Sequence, residues 1–129
     1  MATNIPANLK YTKEHEWALI EGDTVTVGIT DFAQSALGDI VFLEVPSVGS
    51  ELKFGATFGV VESIKSVSDL YAPVSGEVIA KNSDIENSPE KINTDAYGSW
   101  LIKLKIKDQS ELNNLLDPKQ YQDFCNTSH

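Results

Sequence analysis

The sequence predicts a mainly β fold, a small sandwich or barrel with short helices on its rim, and three observations carry that reading. Apolar and polar residues alternate along much of the chain, the period of a half-buried strand. The strand-like runs are short and evenly interrupted by turn residues: 46–49, 53–55, Ala72-Pro73, Ser75-Gly76 and 82–84. Helical signal is confined to three short places. At 129 residues and 41% hydrophobic content the chain suits one domain over 1–129, with a β core at about 17–107 and C-terminal helices at about 108–126.

Taken in order, 17–20 reads as a strand with Trp17 as an aromatic anchor near its start. Glu21-Gly22-Asp23 turns it into a partner in which Val25, Val27 and Ile29 face one way and Thr24, Thr26 and Gly28 the other. Thr30 caps a helix over 31–37, and Gly38 supplies its left-handed stop. Residues 39–45 form a more fully apolar strand, expected where both faces are covered. Two strand-like flanks, 58–61 and 67–71, surround a polar centre with one lysine, a hairpin with Lys65 near its tip.

Further on, Trp100, Ile102, Leu104 and Ile106 alternate with Lys103, Lys105 and Lys107, a solvated lysine face that discourages edge-to-edge pairing. Asp108 and Glu111 stand at capping-box spacing ahead of Leu112, Leu115 and Leu116. Asp117-Pro118 then starts a last helix whose buried face is Tyr121, Phe124 and Cys125. The segment 46–52 faintly echoes 73–78, suggesting two related halves that embrace each other around residues 60–70.

Composition excludes several functions. Ten basic against nineteen acidic residues give a net charge of −9, which disfavours nucleic acid and anionic membrane surfaces. Every basic residue is a lysine, so no guanidinium fork exists to clamp phosphate. The lone Cys125 forms no internal disulfide and reads as a small buried hydrophobe in a reducing compartment. The first six residues resemble neither a signal peptide nor a transit sequence, and the run 40–43 is too short to span a bilayer, so a cytoplasmic protein is expected, or a matrix one if processed. The sequon at 126–128 is then chance. His15, between Glu14 and Glu16, would face away from both on a strand, and with only His129 besides, a metal site is not expected. Neither a dinucleotide fingerprint nor a phosphate loop is present. Ser63, Ser66 and Ser68 lack a histidine in reach and serve the turn.

Around the tip lysine, Ile64 and Val67 are expected to tuck into the sandwich rim and leave the lysine stem projecting into water. The chain here resembles the H protein of the glycine cleavage system. The likeness runs through 9–17, 27–34, 37–42, 58–78 and 97–103; the bend after Gly98 is a residue shorter than the family's usual pattern. Ile64 and Ser66 beside the lysine differ from the methionines of biotin carriers, and the segment 62–69 differs from the Asp-Lys-Ala of 2-oxoacid dehydrogenase lipoyl domains.

The resemblance implies a barrel-sandwich hybrid, the lipoyl- and biotinyl-carrier architecture, with Lys65 as the N6-lipoyllysine. It implies a carrier and not an enzyme. Its partners would be a pyridoxal-phosphate glycine decarboxylase that loads an aminomethyl group, a folate-dependent aminomethyltransferase that removes it, a dihydrolipoamide dehydrogenase that reoxidises the dithiol, and a lipoyl-attaching enzyme. A monomer is the expected state. A tether replaces bimolecular encounters by local ones, and the cofactor supplies the chemistry. Glu16 and Asp69, with Glu14 or Glu62 as substitutes, are candidates to hold the protonated amine of a loaded arm; the competing reading makes them solvated strand-edge charges. The alternative function is a non-lipoylated interaction module, or a relay of lipoyl groups, on the same fold.

Overall fold

The computed structural model describes residues 5–127. Nine strands and four α-helices follow in the order β1 (Lys10–Tyr11), β2 (Glu16–Glu21), β3 (Thr24–Ile29), α1 (Asp31–Leu37), β4 (Ile40–Glu44), β5 (Glu51–Leu52), β6 (Thr57–Ser63), β7 (Val67–Tyr71), β8 (Gly76–Lys81), α2 (Ser83–Asn87), α3 (Lys91–Thr94), β9 (Ile102–Ile106) and, after a 3-10 turn at Gln109–Asn114, α4 (Pro118–Thr127). Six strands form one sheet in the order β1-β2-β3-β9-β8-β5, and β4-β6-β7 form a second; every pairing is antiparallel. The fold class is the expected one: mainly β, two sheets and short peripheral helices.

Their inner faces share one core. Val25, Val27, Ile29, Leu104 and Val78 from the larger sheet meet Leu43, Val61 and Leu70 from the smaller. At roughly 25 cal/mol per Å² of apolar surface removed from water, this burial is the main stabilising term. The two echoing segments pair with each other: Glu51 faces Glu77, Leu52 faces Gly76, and Gly49 N donates to Val78 O at 2.7 Å.

Several local expectations hold. Gly22 adopts φ 65° in the two-residue turn joining Glu21 to Thr24. Thr30 Oγ1 accepts from Ala33 N at 3.1 Å, and Gly38, at φ 84°, ends α1. Trp17 lies against Gly28, where any Cβ would collide with the indole, and its Nε1 donates to Ala96 O at 3.2 Å.

Others are corrected. β9 lies between β3 and β8, so its lysines do not guard an edge. β4 is covered on one face only: its register slips between Ile40 and Phe42, and Val41 (56%) and Phe42 (45%) are exposed. Asp108 caps the 3-10 turn by accepting from Ser110 N, but Glu111 does not close a capping box. It reaches instead to Ser75, accepting from N at 2.6 Å and Oγ at 2.9 Å, because the loop before β8 presents orphan donors there. Cys125 is only half-buried; burial pushes its thiol up. Residues 1–4 and Ser128 of the sequon lie outside the described residues, as does His129.

The C-terminal helix is bolted on by a polar knot. Buried Tyr121 stacks on Tyr11 at 4.6 Å between ring centroids, and its hydroxyl lies 2.8 Å from both His15 Nδ1 and Thr30 Oγ1. His15 is not a strand residue: it sits at φ 66° in the turn before β2 and stacks on Phe32. Tyr121→Phe removes the hydroxyl that links His15 Nδ1 and Thr30 Oγ1, so urea unfolding should show a loss of about 1–2 kcal/mol. No helix among the described residues is long and apolar enough to cross a membrane.

Candidate cofactor-attachment site

The β6–β7 hairpin forms as the sequence suggests. Its pairing runs to Glu62 opposite Val67, leaving four residues, Ser63 to Ser66, to turn the chain. Ser63 closes that turn with its own side chain. Its Oγ accepts from Ser66 N at 3.1 Å and Lys65 N at 3.3 Å, while Ser63 N donates to Ser66 O at 2.8 Å. A short hydroxyl side chain is what such a turn requires, because it satisfies amides that the ladder leaves orphaned.

At the apex Lys65 is exposed, and among the described residues its ammonium makes no ion pair or hydrogen bond. Ile64 (71%) and Val67 (65%) are exposed too, correcting the expectation that they tuck into the rim. What fixes the tip is backbone and serine bonding, including Ile64 N to Asp39 O at 3.0 Å.

The four candidate carboxylates fall into different settings. On the outward face of the small sheet, register places Phe42, Glu62 and Val67 in one row and Glu44, Val60 and Asp69 in the next. Asp69 is exposed and Glu62 half-buried, and both lie on the β6–β7 hairpin that carries Lys65. Glu14 is exposed in the turn before β2.

Glu16 is no solvated strand-edge charge. It is 1% exposed, with Oε2 accepting from Tyr71 N at 2.7 Å and Oε1 from Thr12 Oγ1 at 3.3 Å. Desolvation by burial pushes its carboxyl up to about 8 against the lowering effect of the Tyr71 amide. The folded state therefore holds a proton that the unfolded chain releases near pH 4.5, and stability falls as pH rises from there to about 8. Glu16→Gln keeps an acceptor for Tyr71 and removes the titration. We expect it to flatten that slope and to gain on the order of 2 kcal/mol at pH 8.5 in chemical unfolding.

Sequence reading missed what lies beneath the lysine. Gly38, read only as a helix stop, borders the Lys65 stem, and Asn93 from α3 bonds the segment around it. Asn93 sits in a polar stretch with no local signal of that role.

The arrangement is that of a carrier domain: two sheets around one core, with the exposed Lys65 amine presented on a closed β-turn. A free amine at an exposed tip can be acylated and then reach outward. The chain matches the glycine cleavage H-protein family over residues 9–128. It is 57% identical over 119 residues to the glycine cleavage system H protein of Acidobacterium capsulatum, covering 92% of each chain. The namesake from Burkholderia vietnamiensis is 58% identical over 120 residues, 92% of this chain and 95% of that one. A crystal structure of a glycine cleavage system H protein from Mycobacterium marinum superposes with a TM-score of 0.86 at 39% identity, covering 95% of this chain and 99% of that one. The chain belongs to the glycine cleavage H-protein family. It is a carrier in that system and not an enzyme, and the family implies a lipoyl prosthetic group and contact with the system's other components.

Proposed function

We propose that Lys65 carries lipoic acid in amide linkage, and that the chain shuttles the aminomethyl unit of glycine from glycine decarboxylase to aminomethyltransferase before dihydrolipoamide dehydrogenase restores the arm. The observation that carries this is the Lys65 amine, exposed and without a partner among the described residues, on a turn closed by Ser63. The residues fit the group: nothing bulky crowds the amine, and exposed Ile64 and Val67 offer apolar surface beside it. When bound, the dithiolane supplies the group-carrying and redox chemistry. Acylation removes one positive charge, so −9 becomes −10. Basic docking patches on the partners, and binding weakened by salt, follow from that acidic balance. We assign the protein to the cytoplasm, in keeping with its bacterial relatives.

Asp69, Glu62 and Glu14 supply negative charge for the protonated end of a loaded arm. Glu16 contributes differently: its bond to Tyr71 N fixes β7 two residues from Asp69. Changing Asp69 and Glu14 to amides should speed loss of the aminomethyl cargo without transferase by about threefold, the scale of an exposed charge pair. An unchanged rate rejects the docking role. The carrier reading itself is tested by reconstitution with the other components. Glycine oxidation should require the lipoylated chain, whereas equal turnover with unmodified chain would favour the interaction module.

A further inference from the structure

We propose that Gly38 and Asn93 form the seat that positions Lys65 for attachment of its acyl group, Asn93 acting as a positioning residue and Gly38 as the bare backbone along which the lysine stem lies. The inference deepens the carrier reading and rests on it.

Three elements meet under the hairpin tip: the end of α1, the start of β4 just beyond it and, distant from both in sequence, the turn between β6 and β7. One side chain from α3 joins the first two. Asn93 Nδ2 donates to Gly38 O and to Gln34 Oε1, each at 2.9 Å, and its Oδ1 accepts from Ile40 N at 2.8 Å. It thus grips the chain on both sides of Asp39. Asp39 in turn holds the tip, because its carbonyl accepts from Ile64 N, the residue before the lysine. Only an amide fits this position, since it needs donors toward two oxygens and an acceptor toward one N–H.

Gly38 completes the seat. A methyl built there would stand 3.3 Å from Lys65 Cε and 3.9 Å from Cδ and Nζ, so the stem runs along surface that any side chain would occupy. Its φ of 84° favours glycine independently. The bare backbone leaves the stem room to lie there while the amine itself is free. An attaching enzyme that meets one preset tip avoids the cost of selecting it from a mobile loop.

The test uses the full chain purified without lipoate, as wild type, Asn93→Asp, Asn93→Ala and Gly38→Ala. Attachment by a lipoyl-attaching enzyme with lipoate and ATP is followed by intact mass, and amide hydrogen exchange by the fragments spanning 63–66. Asn93→Asp keeps the acceptor for Ile40 N but sets a carboxylate against two oxygens. Both Asn93 variants should retain the wild-type fold by circular dichroism, lose about tenfold in kcat/KM for attachment and exchange faster at 63–66 than elsewhere. Gly38→Ala leaves the Asn93 side chain intact and should also slow attachment, which covers the case in which the Asn93 variants fail to fold. Folded variants with unchanged attachment and unchanged exchange at 63–66 would overturn the proposal. A wild type that accepts no lipoyl group defeats the carrier reading instead, and exchange at the tip still decides whether the seat exists.

Discussion

Lys65→Arg should abolish glycine oxidation by the reconstituted system and leave the fold untouched. Arginine keeps the charge and nearly the reach of lysine, but its guanidinium stays protonated and delocalised and offers no amine for acylation. Lys65 is exposed and makes no ion pair among the described residues, so its replacement should shift the melting temperature by about 1 °C or less. Activity should drop to the level without the chain, while thermal unfolding matches wild type. Such a separation of function from stability is expected only where a residue serves as a chemical handle and not as a packing element.

Trp17→Ala should produce the opposite pattern, a large loss of stability that reaches the site secondarily. The indole is 3% exposed, covers Gly28 of β3 and donates to Ala96 O in the loop that follows α3. Removing it opens a cavity with no neighbouring side chain at Gly28 to fill it, for which about 3–5 kcal/mol is the ordinary cost. In a chain of this size that lowers the melting temperature by about 10 °C or more, measurable by calorimetry. The loop from Ala96 continues from the helix that carries Asn93, so exchange at Asn93 and at the 63–66 tip should rise as well.

How legible each part was follows from where its determinants lie. The β2–β3 hairpin, the capped α1 and the Lys65 hairpin were readable because their signals are local: a Gly22 turn, Thr30 three residues before the amide it caps, and a serine two residues before the lysine. Period alone could not say that β9 is central, since alternation records two faces and not the neighbours on either side. Glu111 at capping-box spacing had a local partner available, but Ser75, 36 residues away in sequence, offers two donors together.

The same limit governs the site. The exposed tip position of Lys65 was legible, and so was its turn. Glu16 looked like a surface charge because glutamates usually are, and only the fold, in which its carboxyl accepts from Tyr71 N 55 residues away, buries it. Asn93 bonds to residues 53 to 59 positions away, at Ile40, Gly38 and Gln34, so no window of sequence contains the seat. Ile64 and Val67 were misplaced because apolar residues at a tip suggest burial, whereas backbone and serine bonds close this turn and leave both exposed.

Peptide mapping by mass spectrometry, on chain purified from lipoate-sufficient cells, tests the central claim most directly. A lipoyl-sized increment should appear on the fragment containing Lys65, near one group per chain, with the other nine lysines unmodified. An unmodified Lys65 under those conditions, or the increment on a different lysine, would contradict the account.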